Sequence, residues 1–352
     1  MVQACNPPDT YWALARLMRL VGAKFVYDQH DLNPEVSVSR FGARTSAMSR
    51  LQYRFLLWLE RRTYQAANPV ISTNESYRAV ATGRVRVPAA STTVVRSGPD
   101  TRVMRPIDGD PELREERRYL LVYLGIMGPQ DGVDLALRTL DVLVHDMNRD
   151  NVHVALLGFG DTYDDLVALT AELSLGDYVT FTGRAGALEI GHYLSSADVG
   201  LSPDPRSPLN DASTMNKTME YMAYCLPVVS FDLTETRVSG GDNLVYVAPV
   251  VEGEDPHLGP VRFARAVSDL LDDPNRRYQM AVAGRRRVEQ LLDWWPQRAA
   301  YVAVFDELTG HMAPPGPPRP EPPPTDAAGR PLLDTGDEDA VQHYVTTRRF
   351  SG

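Results

Sequence analysis

Cysteine is almost absent from this 352-residue chain, which has only Cys5 and Cys225. Two cysteines so far apart in sequence form neither a disulfide framework nor a cysteine-based metal cluster. Their scarcity is typical of proteins in a reducing compartment. We therefore expect a cytoplasmic protein without a cysteine-based metal cluster. The glycine pairs of the sequence do not complete a dinucleotide-binding fingerprint, so we also expect no cofactor.

The sequence also lacks an apolar run long enough to span a bilayer, and its first residues do not have the pattern of a signal peptide. Acidic residues outnumber basic ones: the chain has 46 aspartates and glutamates and 36 lysines and arginines, which gives a net charge of −10. A nucleic-acid-binding protein needs a basic face, so this class is disfavoured. The basic and apolar segment Arg50–Arg62 suggests peripheral contact with the inner face of a membrane, but a buried amphipathic helix explains it at least as well.

Strand-like and helix-like segments alternate along most of the chain, in two series separated by a polar stretch at residues 101–118. Such alternation is typical of a parallel sheet covered on both faces. We predict an α/β fold of two Rossmann-like, doubly wound domains that face each other across a cleft. The predicted bounds are residues 1–110 for the first domain, 111–294 for the second and 295–310 for a last helix. Residues 311–352, rich in proline and then polar, are predicted to be disordered.

Lysine is as scarce as cysteine, with Lys24 and Lys217 against a background of arginine. Lys217 lies in residues 213–232, a stretch that predicts an amphipathic helix followed by a short apolar strand. One helix face carries three methionines at helical spacing, and the other carries Asn216, Lys217, Glu220 and Tyr224. A solvated polar face with a weak Lys217–Glu220 surface pair is the simpler interpretation of this helix alone. The use of lysine in an arginine-rich chain favours a role for a compact ammonium at this place.

Three loops follow predicted strands at the end where doubly wound folds bind their ligands. The candidate binding residues in them are Gly125, Met127, Gly128, Gly158, Phe159, Gly160, Ser202 and Pro203. Glycines there let backbone N–H groups approach a phosphate or a base closely, although tight strand-to-helix turns explain them about equally well. The helix predicted to begin near Ser213 adds the hydroxyls of Ser213 and Thr214 to the positive end of its dipole. A diphosphate bound there would contact Lys217, and Glu220 would lie at a ribose diol.

His30 follows the predicted strand Lys24–Tyr27 and is placed to donate a hydrogen bond to a bound sugar. A lone histidine is more often structural, partly buried and hydrogen-bonded. The nearby acidic pairs Asp28/Asp31 and Asp31/Glu35 suggest metal ligation. However, no second histidine or cysteine cluster in the sequence supports a transition-metal site, and loop capping is the simpler account.

Several segments together carry a family resemblance: Phe25–Asp31, Val95–Asp100, Leu124–Asp134, Lys217–Ala223 and Pro227–Val229. In combination, over roughly residues 3–308, they resemble the retaining family-four glycosyltransferases of the GT-B fold. The resemblance implies that Glu220 binds the donor ribose, Lys217 the diphosphate and His30 the transferred sugar. It also implies a nucleotide-sugar donor, a cell-surface polysaccharide or glycolipid acceptor, retention of configuration without a bound metal, and a last helix that crosses back to the first domain.

The chain departs from this family pattern in three places. An earlier glutamate of the family, eight positions before Glu220, is Ala212 here, with Asp211 beside it. Ile126 and Asp131 stand where the family often carries basic residues, so the diphosphate would depend more on Lys217, the helix N-terminus and Arg184. The family's first strands have no counterpart, which predicts an incomplete first domain whose open sheet edge a partner chain would cover.

An upstream start or a truncated gene would account for the missing strands. Two alternatives to an active transferase therefore stay open. One is an inactive nucleotide-binding remnant. The other is a sugar-nucleotide epimerase of the same fold, which would need an acid–base partner for His30 that the sequence does not reveal.

Overall fold

Helices and strands alternate through the chain, as the hydrophobic pattern predicts. The structure is a computed structural model and describes residues 1–41, 46–311 and 316–349. Its strands are β1 (Val2–Cys5), β2 (Phe25–Gln29), β3 (Val70–Ser72), β4 (Thr92–Val94), β5 (Tyr119–Ile126), β6 (Val152–Phe159), β7 (Val179–Gly183), β8 (Val199–Ser202), β9 (Val228–Phe231) and β10 (Leu244–Val247). Its helices are α1 (Trp12–Arg19), α2 (Asn33–Phe41), α3 (Ala47–Ala66), α4 (Glu75–Ala79), α5 (Val133–Asp141), α6 (Tyr163–Glu172), α7 (Ala187–Ser196), α8 (Pro208–Ala212), α9 (Asn216–Ala223), α10 (Thr234–Gly240), α11 (Leu258–Asp272), α12 (Pro274–Arg287), α13 (Trp294–Thr309) and α14 (Glu338–His343). Within the described ranges, no helix has an apolar stretch long enough to cross a membrane.

The chain divides into two units, each made of several segments. Unit 1 comprises Met1–Ser97, Ser207–Thr214 and Trp294–Pro320, and unit 2 comprises Gly98–Arg206, Met215–Asp293 and Glu321–Gly352. The first boundary falls at residue 97 rather than at the predicted residue 110. The reason is that the polar stretch after Ser97 packs within unit 2, where the backbone N–H of buried Ile107 donates to Ser195 Oγ at 3.1 Å.

Unit 1 is built on a four-stranded parallel sheet in the order β1-β2-β3-β4, with β1 at one edge. β2 is buried along its whole length. Phe25 and Tyr27 of β2 belong to one apolar cluster, whereas Val26 belongs to another. The second cluster includes Val304 of α13, so the last helix packs on this sheet.

Unit 2 is built on a six-stranded parallel sheet in the order β10-β9-β8-β5-β6-β7. Successive side chains of a strand point to opposite faces of the sheet. In β5, Leu121 lies in a core cluster with residues of α5 and α11, whereas the next residue, Val122, lies in a separate cluster with Met219 of α9. Helices therefore cover both faces, and the two parallel sheets confirm the predicted α/β fold with two Rossmann-like domains.

The predicted disorder of residues 311–352 is wrong for residues 321–349, which pack as part of unit 2. Val341, Tyr344 and Val345 on and after α14 are buried in a cluster with Cys225. The Tyr344 hydroxyl also donates to the Ser195 carbonyl at 2.9 Å. The prediction of disorder rested on the proline-rich composition and overlooked this short group of apolar residues. The parts of the prediction that fall on residues 312–315 and 350–352 lie outside the described residues.

Candidate functional site

The order of the strands in unit 2 reverses between β5 and β8. From β5 the chain proceeds outward to β6 and β7, then returns beside β5 with β8 and proceeds to β9 and β10. In open α/β sheets, ligands bind beyond the carboxyl ends of the strands at such a reversal. The loops at this point are residues 125–132 after β5 and Ser202–Asp204 after β8. The topology thus brings together two of the three loops predicted from the sequence.

Lys217 of α9 points into the loop after β8. Its Nζ lies 2.5 Å from Asp204 Oδ1 and 5.0 Å from the centre of the Tyr123 ring. Ser202 Oγ donates to the other carboxylate oxygen of Asp204 at 2.6 Å. The side chains of Lys217 and Asp204 are only 9% and 1% exposed. Burial by itself lowers the pKa of the Lys217 ammonium, but the negative charges of Asp204 and Asp131 outweigh it and raise the pKa above its ordinary value, so Lys217 is a fixed cation.

The partner of Lys217 is therefore not the predicted one. The sequence spacing favoured a Lys217–Glu220 pair, whereas the structure forms a Lys217–Asp204 pair. Glu220 faces a cavity, where burial raises the pKa of its carboxyl group and the charge of Lys217 partly counteracts that rise. Asp204 was missed as a site residue because an aspartate in a Ser-Pro-Asp loop is as typical of a turn as of a buried counter-ion.

A cavity of about 310 Å³ lies beside these residues within unit 2. Five of the predicted residues line it: Gly125, Gly158, Phe159, Arg184 and Glu220. The Arg184 guanidinium carbon lies 3.8 Å from the centre of the Phe159 ring, a cation–π contact. One carboxylate, one guanidinium and the backbones of two glycine loops therefore border the same space.

The two glycine loops pack directly against each other, which explains Gly158 and Gly160. A Cβ atom at residue 158 would lie 1.8 Å from the Gly125 carbonyl oxygen, and one at residue 160 would lie 2.4 Å from the Met127 carbonyl oxygen. Any other residue at either position would displace backbone. This packing favours the tight-turn interpretation of the glycines and keeps both loop backbones beside the cavity.

Several predicted binding residues also make contacts that hold the loops in place. The Met127 side chain is fully buried, and its backbone N–H donates to the Phe159 carbonyl at 2.9 Å. The Gly128 N–H donates to Asp131 Oδ2 at 2.9 Å. Pro203 is buried beside Ser202, whose hydroxyl is occupied by Asp204 as described above. Direct ligand contact by these residues was predicted from their place in the sequence, and it stays a prediction.

The helix that carries Lys217 begins later than predicted. α9 starts at exposed Asn216 and has no side-chain cap. Ser213 follows the end of α8 and its hydroxyl donates to a backbone carbonyl of that helix at 2.7 Å. Thr214 Oγ1 accepts from Asn74 Nδ2 at 3.0 Å. Met215 is the N-cap of α9, so neither Ser213 nor Thr214 caps this helix, and their contact with a ligand stays a prediction.

His30 lies just after β2, in unit 1. Its Nε2 is 3.2 Å from Asp28 Oδ1, and this hydrogen bond raises the pKa of His30 more than burial lowers it. The Asn6 side chain accepts from the His30 backbone N–H at 2.7 Å and so fixes the loop. Cys5 Sγ lies 3.6 Å from Asp28 Oδ2, because β1 pairs with β2 in a register that places Cys5 opposite Asp28.

The donor atoms of Cys5, Asp28 and His30 all lie within 4.8 Å of one another. This trio was not predicted from the sequence, because β1 was not recognised there as a strand. A structural zinc site needs four protein ligands, and the described residues supply no fourth ligand here. On this geometry, the Asp28 carboxylate contacts both Cys5 and His30, and so it supports the His30 ring.

The segment that contains these residues is similar to known proteins. Residues 118–273 match the family Glycosyl transferases group 1. A GDP-mannose-dependent alpha-(1-6)-phosphatidylinositol monomannoside mannosyltransferase of Mycolicibacterium smegmatis is 29% identical over 234 residues, which are 63% of this chain and 57% of the relative. The chain thus spans little more than half the length of this curated relative.

Solved structures have the same fold as this chain. Sucrose-phosphate synthase from Thermosynechococcus elongatus superposes with a TM-score of 0.65 at 19% identity, covering 88% of this chain and 73% of that chain. HepE of Anabaena, solved with UDP and glucose, gives a TM-score of 0.62 at 16% identity, covering 88% of this chain and 78% of that chain. The chain has the GT-B fold, and Lys217, Asp204 and Glu220 lie within the segment that matches the family.

Proposed function

We propose that this chain transfers a glycosyl group from a nucleotide sugar and that unit 2 binds the donor. The observation that carries the proposal is the cavity at the carboxyl ends of β5, β6 and β7, where Glu220 and Arg184 face the backbones of two glycine loops. The buried Lys217–Asp204 pair joins α9, which also carries Glu220, to the loop after β8. The family match to residues 118–273 includes all of these residues and supports the same function.

Along α9, Lys217 and the helix N-terminus bind the diphosphate in this proposal, and Glu220 accepts hydrogen bonds from the ribose hydroxyls. An ammonium has three N–H donors, of which Asp204 accepts one, so Lys217 retains capacity for phosphate oxygens. Asp204 holds the ammonium in place, and Ser202 in turn holds Asp204. The positive end of the α9 dipole adds to the attraction for an anion.

We also propose that transfer proceeds with retention of configuration and without a metal ion. The sugar develops oxocarbenium character as the nucleoside diphosphate departs, and the fixed charge of Lys217 stabilises the departing anion without reorganising. His30 donates a hydrogen bond to the transferred sugar. The bond from His30 to Asp28 supports this role, because the raised pKa of His30 favours the protonated, donating ring.

The acceptor in this proposal is a glycolipid or a lipid-linked glycan at a membrane surface. The first curated relative is by its name a phosphatidylinositol monomannoside mannosyltransferase. In unit 1, helices α1 and α3 carry a group of exposed apolar side chains, and the Arg62 guanidinium lies over the ring of one of them, Trp58. Those side chains are Leu14, Leu17, Leu20, Met48, Leu51, Phe55 and Trp58. A basic face with exposed apolar residues suits contact with an anionic membrane.

Vesicle binding tests the membrane part separately. Phe55→Asp should weaken co-sedimentation with phosphatidylserine-containing vesicles roughly tenfold, because it removes an apolar contact and adds a negative charge. The matched control is Gln52→Asp, which adds the same charge at an exposed, polar position of α3. Equal binding by both variants would rule out the apolar face as the contact.

The donor part is tested by binding and turnover with GDP-, UDP- and ADP-sugars. Lys217→Met and Glu220→Gln should each weaken nucleoside diphosphate binding roughly tenfold to a hundredfold, the loss expected for a hydrogen bond to a charged group. The matched controls are Lys24→Met, at the only other lysine, and Glu172→Gln, an exposed residue of α6 that lines no part of the cavity. Binding that is equal in site variants and controls would refute the proposed donor site.

The products of the same assays separate the alternatives. Nucleotide binding without donor hydrolysis or transfer would favour the inactive remnant. An epimerised sugar nucleotide formed without any acceptor would favour the epimerase. An anomeric assignment of the product by NMR tests retention, and turnover in the presence of EDTA tests independence from metal.

A further inference from the structure

A second cavity in unit 2 has the C-terminal segment as one of its walls. It has a volume of about 450 Å³, which is within the usual range of about 300–1,000 Å³ for small-molecule sites. Residues of α7 and α9, including Ile190 and Tyr224, form one side. The loop Pro323–Leu332, which we call the tail loop, forms the other side through residues that include Ala327 and Leu332.

The tail loop is held in a defined shape. Arg105, which is only 5% exposed, donates from its guanidinium to the carbonyl oxygens of Pro323 and Leu333, at the two ends of the loop. The Leu332 N–H donates to the Pro324 carbonyl at 3.0 Å, which closes the loop on itself. The buried cluster around Tyr344 then anchors the chain that follows.

The tip of the tail loop is fixed to the wall of the cavity. Arg330 donates to Asp326 Oδ2 at 2.7 Å within the loop. The Nη2 atom of the same arginine donates to the Leu188 carbonyl of α7 at 3.1 Å. The loop is therefore built against α7 rather than lying loosely over it.

Glu220 and Ile190 line both this cavity and the 310 Å³ cavity described above. Lys217, Glu220 and Tyr224 follow one another along α9 at spacings of three and four residues, so they lie on adjacent turns of one face. From Lys217 to Tyr224 the helix rises by roughly 10 Å. The tail-loop cavity lies on the Tyr224 side of Glu220, away from Lys217 and the helix N-terminus.

We propose that the base of the donor nucleotide enters the cavity between α7 and the tail loop, so that the tail loop determines which base is accepted. This inference rests on the proposed function, in which Lys217 binds the diphosphate and Glu220 the ribose. The order of these groups along α9 then places the base beyond Glu220, beside Tyr224. A mostly apolar cavity suits the flat faces of a base, and Ile190 and Leu332 border it from opposite walls.

The test uses two neighbouring alanines of the tail loop in the full chain. Ala327 lines the cavity, whereas Ala328 does not, and both are exposed. Ala327→Trp should place an indole in the cavity and weaken binding of the preferred nucleoside diphosphate at least tenfold, with a changed ranking among UDP, GDP and ADP. Ala328→Trp should stay within twofold of the wild type. Equal thermal unfolding midpoints of the two variants establish that both are folded.

The outcomes distinguish this proposal from the one on which it rests. If Glu220→Gln weakens binding but Ala327→Trp does not, the donor site stands and the role of the tail loop is refuted. If Ala327→Trp weakens UDP, GDP and ADP equally, the loop affects access without selecting the base, and the proposal is overturned in that form. If the wild type binds none of the three, both proposals fail.

Discussion

Replacement of Asp204 by asparagine should leave a buried ammonium without its counter-charge. Lys217 and Asp204 are 9% and 1% exposed, so solvent screens the pair very little. Removal of one partner of a buried pair costs about 3–5 kcal/mol, against about 0–1 kcal/mol for a surface pair. The charge of Asp131 still acts on Lys217 in this variant, so we expect a loss of about 3 kcal/mol in the free energy of unfolding at pH 7.

The loss should depend on pH in a direction that the structure fixes. In the wild type the pKa of Lys217 is raised, so its contribution to stability is present below the unfolded pKa and is lost as the pH rises through the folded pKa. Without Asp204, burial becomes the dominant effect and lowers the pKa of Lys217. The folded variant then releases its proton before the unfolded chain does, so its stability should rise with pH in the alkaline range.

Urea unfolding measured by far-UV circular dichroism at pH 7 and pH 9.5 provides the assay. All four tryptophans, at positions 12, 58, 294 and 295, lie in unit 1, so tryptophan fluorescence should report little change from a substitution in unit 2. The chain has two lysines, so ¹³C-lysine labelling should give two ε-carbon signals, and Lys24→Arg assigns them. The titration of Lys217 can then be followed directly.

The double variant Asp204→Asn/Lys217→Met is the control, because it removes both charges. It should be clearly more stable than the sum of the two single losses implies, with a coupling of more than about 1 kcal/mol. A loss below about 1 kcal/mol in Asp204→Asn, together with simple additivity, would show that water screens the pair and would refute the reasoning.

Three further predictions concern groups outside this pair. Burial raises the pKa of Glu60 from 4.5 to about 7, so the stability of the wild type should fall as the pH rises between these values. Glu60→Gln should remove that slope. At pH 8 it should raise the free energy of unfolding by about 3 kcal/mol in urea titrations. Val345→Ala should cost about 2 kcal/mol, because Val345 is fully buried, whereas exposed Thr346→Ala should cost almost nothing; equal midpoints would contradict the packed tail. Asp28→Asn should lower the pKa of His30, measured by NMR of its ring protons, and an unchanged value would show that Asp28 does not support His30.

The fold could be predicted from the sequence because its main signals are local. β3 and β10 are short apolar runs between turns, which is the sequence pattern of buried strands. α3 begins after Ser46, whose side chain accepts from the Ser49 N–H, so a capping serine marked the start of that helix. β1 was missed because four residues with a polar glutamine give too weak a pattern for an edge strand.

The candidate site was less predictable because its geometry depends on contacts between distant residues. The spacing on α9 placed Glu220 one turn from Lys217, but it could not show that Lys217 pairs with Asp204, thirteen residues earlier. The helix start was misplaced because Ser213 and Thr214 are good capping residues in sequence, whereas in the structure they bond within unit 1. The tail was missed because three buried residues near Tyr344 are few beside a long run of proline.

The interleaving of the two units has a consequence for the order in which the chain can fold during synthesis. The chain passes from one unit to the other five times, after residues 97, 206, 214, 293 and 320. The sheet of unit 1 is complete once β4 has been made, yet α13, which covers Val26 and Ile71, ends 212 residues after Ser97, at Thr309. At typical elongation rates this interval is roughly 10–40 s. During that time one face of the nascent sheet stays uncovered at the ribosome, so chaperone binding at this face should precede the folding of unit 1. Because the chain crosses between the units five times, no single proteolytic cut in the finished protein should release either unit intact.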